Sequence, residues 1–321
     1  DIPTILVVLG ATGDLMAKKI TPALFHLLSK DKLPRMFRVV GFARRELSDT
    51  KLQERIKKIT EKSADKRIKK AELSAFLQLF SYHQGEFRQK KGYLELAKKL
   101  KQIDDEWGVC SNKLFYLAVP PGLYPTILKH LASSGLTIPC GPEEGWTRIL
   151  IEKPFGKNAE TAQELDQLLG RVLKEEQIYR IDHYLAKEML RNILSFRFAN
   201  NLFEDVWNKN FIEKIDIRLL ESVGVEERGG FYDPLGALRD VGQNHLLQML
   251  AFTTMDRPAD LQAGSIRLRR NEVLKTLKPL SRKEIRNNTI RAQYEGYRRV
   301  KGVRPNSGTE TYFKISNFYL D

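Results

Sequence analysis

The run Thr4-Ile-Leu-Val-Val-Leu9 stops at Gly10-Ala-Thr-Gly13, and a helical stretch over 14–29 begins at once. A short apolar segment closed by glycine reads as a buried strand, and a glycine turn between strand and helix restricts the fold sharply. Strand-sized segments at 37–42, 113–119 and 147–152 follow, alternating with helical stretches near 92–105, 121–134 and 158–174. Strands separated by helices join as a parallel sheet through right-handed crossovers. Past residue 178 the texture changes. A helix over 187–199 precedes 211–220, where apolar and polar residues alternate as in a half-buried strand, and a helix over 236–255 comes next. The alternation in 311–320 reads as one more strand, whose sheet is expected to continue beyond it. The expected architecture is an α/β N-terminal domain over 1–178, Rossmann-like and dinucleotide-binding. An α+β domain over 179–321 follows.

Length suits two domains, at 321 residues, and 42% hydrophobic with 29% charged residues is ordinary globular composition. No apolar run nears the roughly 20 residues that cross a bilayer. Asp1-Ile2-Pro3 leads into the first strand without a basic segment, so neither membrane nor secretory signal is expected. Cys110 and Cys140 are the only cysteines, lacking zinc-ligand spacing and too few for a disulfide framework. Reduced thiols in the cytoplasm are expected, and no metal. Lys and Arg total 54 against 40 Asp and Glu, giving +14, a balance that attracts nucleic acid, acidic membrane or phosphorylated small molecules. The clusters Lys66, Arg67, Lys69, Lys70 and Arg267, Arg269, Arg270 lie in polar helix-like stretches without interleaved aromatics. They read as solvated faces, and no nucleic-acid partner is expected.

Glycines in Gly10-Ala11-Thr12-Gly13-Asp14-Leu15 let backbone approach a pyrophosphate at a helix N-terminus. G-x-x-G is shorter than the full fingerprint, and a structural turn also favours glycine; its place after the first strand favours phosphate binding. At the end of the second strand, where a carboxylate would bind a ribose 2′-hydroxyl, stand Arg44 and Arg45. Guanidiniums there suit a 2′-phosphate, so NADP is the expected cofactor, with Arg45 equally readable as surface. Glu152-Lys153-Pro154 ends a strand at a bond that can be cis.

Of the five histidines, His26 and His130 sit among leucines as packed residues do, and His83 has no distinguishing company. His183 belongs to Tyr179-Arg-Ile-Asp-His-Tyr-Leu-Ala-Lys-Glu188. A helix starting near Asp182 would place His183 and Lys187 on one face, with Tyr184 adding a hydroxyl for a phosphate. Asp182 equally reads as an N-cap and Lys187 as a solvated cation, and the residues alone leave both readings open. Asp240 and His245, five residues apart, would point about 140° from one another on a regular α-helix.

Arg180-Ile-Asp-His-Tyr-Leu-Ala-Lys-Glu188 resembles the active-site signature of glucose-6-phosphate dehydrogenases, with Ala186 where glycine is usual. The same family shows the Gly10–Leu15 turn with Lys18-Lys19 after it, Gly41-Phe-Ala-Arg44, and Glu152-Lys-Pro-Phe-Gly156. It also shows Arg228-Gly-Gly230 and Arg239-Asp-Val-Gly-Gln-Asn-His-Leu246. These segments keep family order and cover essentially the whole chain. The resemblance implies oxidation of glucose 6-phosphate at C1 with hydride transfer to NADP+. It makes His245 the general base, Asp182 its carboxylate partner, and His183, Tyr184 and Lys187 the phosphate ligands. Lys153, Glu221 and Asp240 then contact sugar hydroxyls. Lys19 and Lys153 lie where cofactor and substrate meet, and Arg44 reads the 2′-phosphate. It further implies that the second domain carries a largely antiparallel sheet, incomplete in this chain, and that the full-length protein is a homo-oligomer. The alternatives left are another dinucleotide-dependent sugar oxidoreductase and a nucleotide- or sugar-phosphate-binding protein without catalysis.

Overall fold

The computed structural model describes residues 2–63, 68–141, 145–156, 158–199 and 201–316, in two compact units that divide between Ile181 and Asp182. Lys66, Arg67 and the 317–320 part of the expected last strand lie outside the described residues.

In the first unit, strands β1 (Thr4–Leu9), β2 (Phe37–Ala43), β3 (Phe80–Gln84), β4 (Asn112–Leu117), β5 (Thr147–Glu152) and β6 (Ile178–Ile181) form one sheet in the order β3-β2-β1-β4-β5-β6. Every pairing is parallel, with Leu9 level with Phe42 on one side and Leu117 on the other. The helices are α1 (Thr21–Ser29), α2 (Asp49–Ser63), α3 (Lys70–Gln78), α4 (Lys90–Trp107), α5 (Tyr124–Ser133) and α6 (Ala159–Val172). Side chains alternate across a strand. Ile5, Val7 and Leu9 therefore enter one core with Leu96 of α4, Ile127 of α5 and Leu169 of α6. Leu6 and Val8 enter the opposite core with Leu24 of α1, Ile56 of α2 and Phe76 of α3. A strand covered on both faces has to be apolar throughout, which is why β1 shows no polar alternation.

The second unit packs α7 (Glu188–Phe198), α9 (Leu247–Thr254) and α10 (Ala263–Lys275) around Leu190, Phe198, Phe252 and Met255. A smaller core joins α8 (Gly229–Tyr232) through Tyr232 to Tyr297 and Phe313. After α11 (Arg282–Asn288), β7 (Thr289–Ala292) pairs antiparallel with β8 (Tyr312–Ile315). The strand expected over 211–220 is not formed. Phe211 and Leu220 are 67% and 83% exposed, and the segment has no regular structure. Alternation marks a segment able to pair, but a strand exists only beside another strand, and none of the described strands pairs with it.

Two expectations for the first unit also change. The stretch over 14–29 includes a π-helical turn at Met16–Ile20 before α1. The two cysteines, expected as free thiols, are joined as a disulfide across 30 residues of sequence. No sequence spacing announces that pairing, because α5 and its flanking turns close the distance.

Asp233, 3% exposed, ties the small core together. Its carboxylate accepts hydrogen bonds from the Tyr297 hydroxyl at 3.0 Å, from Arg304 Nε at 2.8 Å and from the Ser307 hydroxyl. Burial alone would raise its pKa, but the donors outweigh burial and hold it down to about 2. A carboxylate with a depressed folded pKa stabilises the fold above its unfolded value and stops doing so as pH falls through the folded one. The second unit should therefore lose stability between about pH 4 and about pH 2. Thermal melts across that range should show the loss in the native chain and a shallower dependence in Asp233→Asn.

Candidate active site

At the C-terminal ends of β1, β2 and β4, Gly10, Thr12, Gly13, Arg44, Val119 and Pro120 line a cavity of about 240 Å³. Gly10 has φ +98°, and a Cβ there would lie 2.2 Å from the Ala118 carbonyl oxygen, so only glycine fits where the chain leaving β1 passes the segment after β4. The turn is closed by Gly13 N–H donating to Gly10 O at 2.8 Å, and Arg55 donates to Thr12 O at 2.9 Å. Ala11 is buried, Leu15 half-buried, and exposed Asp14 pairs with Lys18 at 3.1 Å. Arg44 and Arg45 are exposed on the rim, and the Tyr82 hydroxyl fixes the backbone beneath them by donating to Ala43 O and Arg45 O. Lys19 lies exposed on the π turn.

On β5, Glu152 accepts from the Tyr116 hydroxyl at 2.6 Å, and its backbone oxygen accepts from Tyr124. Burial and the neighbouring carboxylate push the Tyr116 phenol far up, so it remains a donor. The half-buried Lys153 follows, joined to Pro154 by a cis peptide bond. Phe87, Ala118, Val119 and Pro120 line the same cavity and were not singled out in the sequence. The available signal was Pro120-Pro121 directly after an apolar strand.

In the second unit, Asp182 caps the short 3-10 turn His183–Ala186 by accepting from Tyr184 N–H at 3.0 Å. The same oxygen, Oδ1, lies 2.8 Å from Nδ1 of His245. The cap read from the sequence and the histidine pairing implied by the resemblance are one arrangement here. His245 is 2% exposed, and its ring stacks on Tyr184 with centroids 3.7 Å apart. Lys187 Nζ covers the other end of the group, 3.6 Å from the Tyr184 centroid, and the His183 ring stands edge-on to His245 at 4.9 Å. The turn ends at Lys187, whose backbone is extended, so His183 and Lys187 do not share an α-helical face as expected. They gather around Tyr184 instead.

Asp240 and His245 lie on a π-helical segment, Leu238–Leu246. A π-helix bonds i to i+5, with about 4.4 residues per turn. Residues five apart then stand roughly 50° apart rather than the 140° of an α-helix. Asp240 thus shares the His245 side of the segment, and Arg228 approaches its carboxylate at 3.4 Å. Glu221 is exposed in the irregular stretch after Leu220, outside the cluster of Asp182, His183 and His245. The donor atoms of those three lie within 4.8 Å of one another. An ion held there would occupy the imidazole nitrogens that proton transfer requires. Arg180, although inside the signature, is an anchor: it pairs with Asp166 and Glu175 at 2.6 Å each and fastens β6 to α6.

A parallel sheet in the order 3-2-1-4-5-6, with a glycine turn at the switch point between β1 and β4, defines a dinucleotide-binding protein of the Rossmann type. To it the second unit adds a carboxylate–imidazole pair, its ring buried, of the sort used for proton abstraction. Residues 7–192 match the family model of the NAD binding domain of glucose-6-phosphate dehydrogenase, and 194–319 match that of its C-terminal domain. The chain belongs to the glucose-6-phosphate dehydrogenase family. It is 41% identical over 320 residues to glucose-6-phosphate 1-dehydrogenase of Aggregatibacter actinomycetemcomitans, covering 97% of this chain and 64% of that one. The crystal structure of the Mycobacterium avium enzyme matches with TM-score 0.85 at 34% identity, over 98% of this chain and 66% of that. A structure of glucose-6-phosphate dehydrogenase in complex with its substrate glucose-6-phosphate matches with TM-score 0.86 at 35% identity. It covers 100% of this chain and 67% of that one. The chain thus spans less than two thirds of the length of the curated relatives it matches first.

Proposed function

We propose that this chain is the greater part of an NADP-dependent enzyme that oxidises glucose 6-phosphate at C1 to the 6-phosphoglucono-lactone. The reading rests above all on the 2.8 Å approach of Asp182 to His245 in a chain of this family. Residues 1–178 form the cofactor domain and 179–321 the substrate domain. The Gly10–Gly13 cradle, which a Cβ would fill, suits a pyrophosphate, and the paired guanidiniums of Arg44 and Arg45 suit a 2′-phosphate. Bound NADP+ supplies the hydride acceptor.

His245 takes the proton of the C1 hydroxyl on the nitrogen that faces away from Asp182, and Asp182 holds the tautomer and stabilises the imidazolium as it forms. His183, Tyr184 and Lys187 bind the phosphate far from the reacting carbon, where they orient the sugar. Lys153, Asp240 and Glu221 contact the hydroxyls, and Lys19 and Lys153 lie where cofactor and sugar meet. The full-length protein is a cytoplasmic homo-oligomer in this reading.

The test is an absorbance assay at the NADPH band that crosses NADP+ and NAD+ with phosphorylated and free glucose. NADPH should accumulate with glucose 6-phosphate and far more slowly with glucose. Equal rates would favour a general sugar oxidoreductase, and cofactor binding without turnover would favour a non-catalytic protein. In the same assay Arg44→Ala should raise KM for NADP+ by about 10- to 100-fold and leave NAD+ kinetics nearly unchanged, from the loss of one charge-assisted contact.

A further inference from the structure

The parallel sheet has a second end, opposite the glycine turn, and there Cys110 lies just before β4 and Cys140 in the connection leading to β5. Cys110 is half-buried and Cys140 exposed. Lys113 is almost buried and uses its three N–H donors fully: one to Asp104 Oδ2 at 2.5 Å, one to Ser111 O at 2.9 Å and one towards Cys110 Sγ at 3.8 Å. Asp104, whose Oδ1 accepts from the Ser111 N–H and hydroxyl, is neutralised by that ammonium. Asp104 Oδ2 lies as near Cys110 Sγ, at 3.8 Å, so the sulfur sits against a Lys113–Asp104 ion pair in which the ammonium supplies the N–H that points at it. Gly145, with φ +68°, packs on the disulfide so closely that a Cβ would lie 2.8 Å from Cys140 Cβ and 3.0 Å from Cys110 Sγ. Beside the sulfurs opens a cavity of about 660 Å³, whose apolar lining includes Val109 and Ile138, 42% and 71% exposed.

We propose that Cys110–Cys140 is a thiol–disulfide exchange site, opened by a dithiol that enters at Cys140. The incoming thiolate attacks Sγ of Cys140, the bond to Cys110 breaks, and Cys110 leaves as a thiolate beside Lys113. A nearby cation stabilises a thiolate and makes it the better leaving group. The second thiol of the reductant then attacks its own mixed disulfide, releasing Cys140 and closing the reductant's ring. Two electrons and two protons pass from the dithiol to the pair. In reverse, Cys110, poised by Lys113, resolves a mixed disulfide carried on Cys140. The asymmetry between an exposed sulfur to attack and a half-buried, cation-paired sulfur to leave is what distinguishes this pair from a structural staple.

The chain is oxidised with glutathione disulfide, then treated under native conditions with dithiothreitol, and free thiols are alkylated with iodoacetamide and mapped by mass. Both cysteines should become alkylated without denaturant. In Cys110→Ser, glutathione disulfide should leave a stable adduct on Cys140. Lys113→Gln should slow reduction by about three- to tenfold, and Lys113→Arg, which keeps the cation, should restore most of the rate. An oxidised chain that resists dithiothreitol until denatured would overturn the proposal. So would a pair that glutathione disulfide never closes, or an unchanged rate in a folded Lys113→Gln.

Discussion

Replacing His245 with asparagine should lower turnover of glucose 6-phosphate by about 10²- to 10⁴-fold while NADP+ binding persists. Asparagine can still donate to Asp182, so the carboxylate keeps a neighbour, but an amide takes up no proton near neutral pH. The loss should fall on kcat, with a smaller change in KM, because phosphate recognition stays with His183 and Lys187. His245 is 2% exposed and stacked on Tyr184, so the smaller side chain leaves a gap in the second unit. A thermal melt and a cofactor titration therefore accompany the assay. Asp182→Asn is the companion: the base remains, its imidazolium is no longer stabilised, and the Tyr184 cap is kept by the amide oxygen. It should lose less than His245→Asn. Undiminished turnover in a folded His245→Asn would remove the residue from the mechanism.

The first unit was legible because its strands carry their burial in their composition. β1 is apolar on both faces, and the place of its glycine turn, directly after the first strand, favoured phosphate binding over a structural turn. β3 and β6 were less so. Phe80-Ser-Tyr-His-Gln84 offers only two buried positions, and Ile178–Ile181 is a sheet edge. In the second unit the sequence signal was real but insufficient. The alternation over 211–220 specifies which face would be buried, not whether a neighbouring strand exists to bury it. The π-helix over Leu238–Leu246 was invisible for another reason: an i to i+5 ladder arises from local backbone insertion, and apolar periodicity computed at 3.6 residues per turn misplaces everything on it. Asp240 and His245 therefore looked badly spaced for a common site, and only family resemblance joined them. The disulfide has no local signature at all.

Gly10→Ala should be the most damaging single-methyl change in the first unit. Its Cβ would sit 2.2 Å from Ala118 O, 2.9 Å from Ala118 C and 3.0 Å from Val119 Cγ1, two of them backbone atoms of the segment after β4. That segment cannot rotate away as a side chain could, and a φ of +98° is foreign to alanine. Strained backbone costs about 1–3 kcal/mol and forced overpacking about 1–3 kcal/mol more. Against a total stability of about 5–15 kcal/mol that is a large fraction. The opening of β1 from β4 also spoils the cradle, so dinucleotide affinity should fall further than stability. Gly13→Ala is the graded case, its Cβ meeting Gly10 O at 3.1 Å and Ala118 O at 4.0 Å, with a φ that is not positive. Gly170→Ala is the control, with nothing within 4 Å on an exposed helix position, and should be neutral or stabilising by about 0.5–1 kcal/mol. Denaturant titration and NADP+ binding measured on all three should rank them 10, 13, 170 in both respects. A Gly10→Ala chain that melts and binds like Gly170→Ala would show that β1 and β4 do not meet as tightly as their register requires.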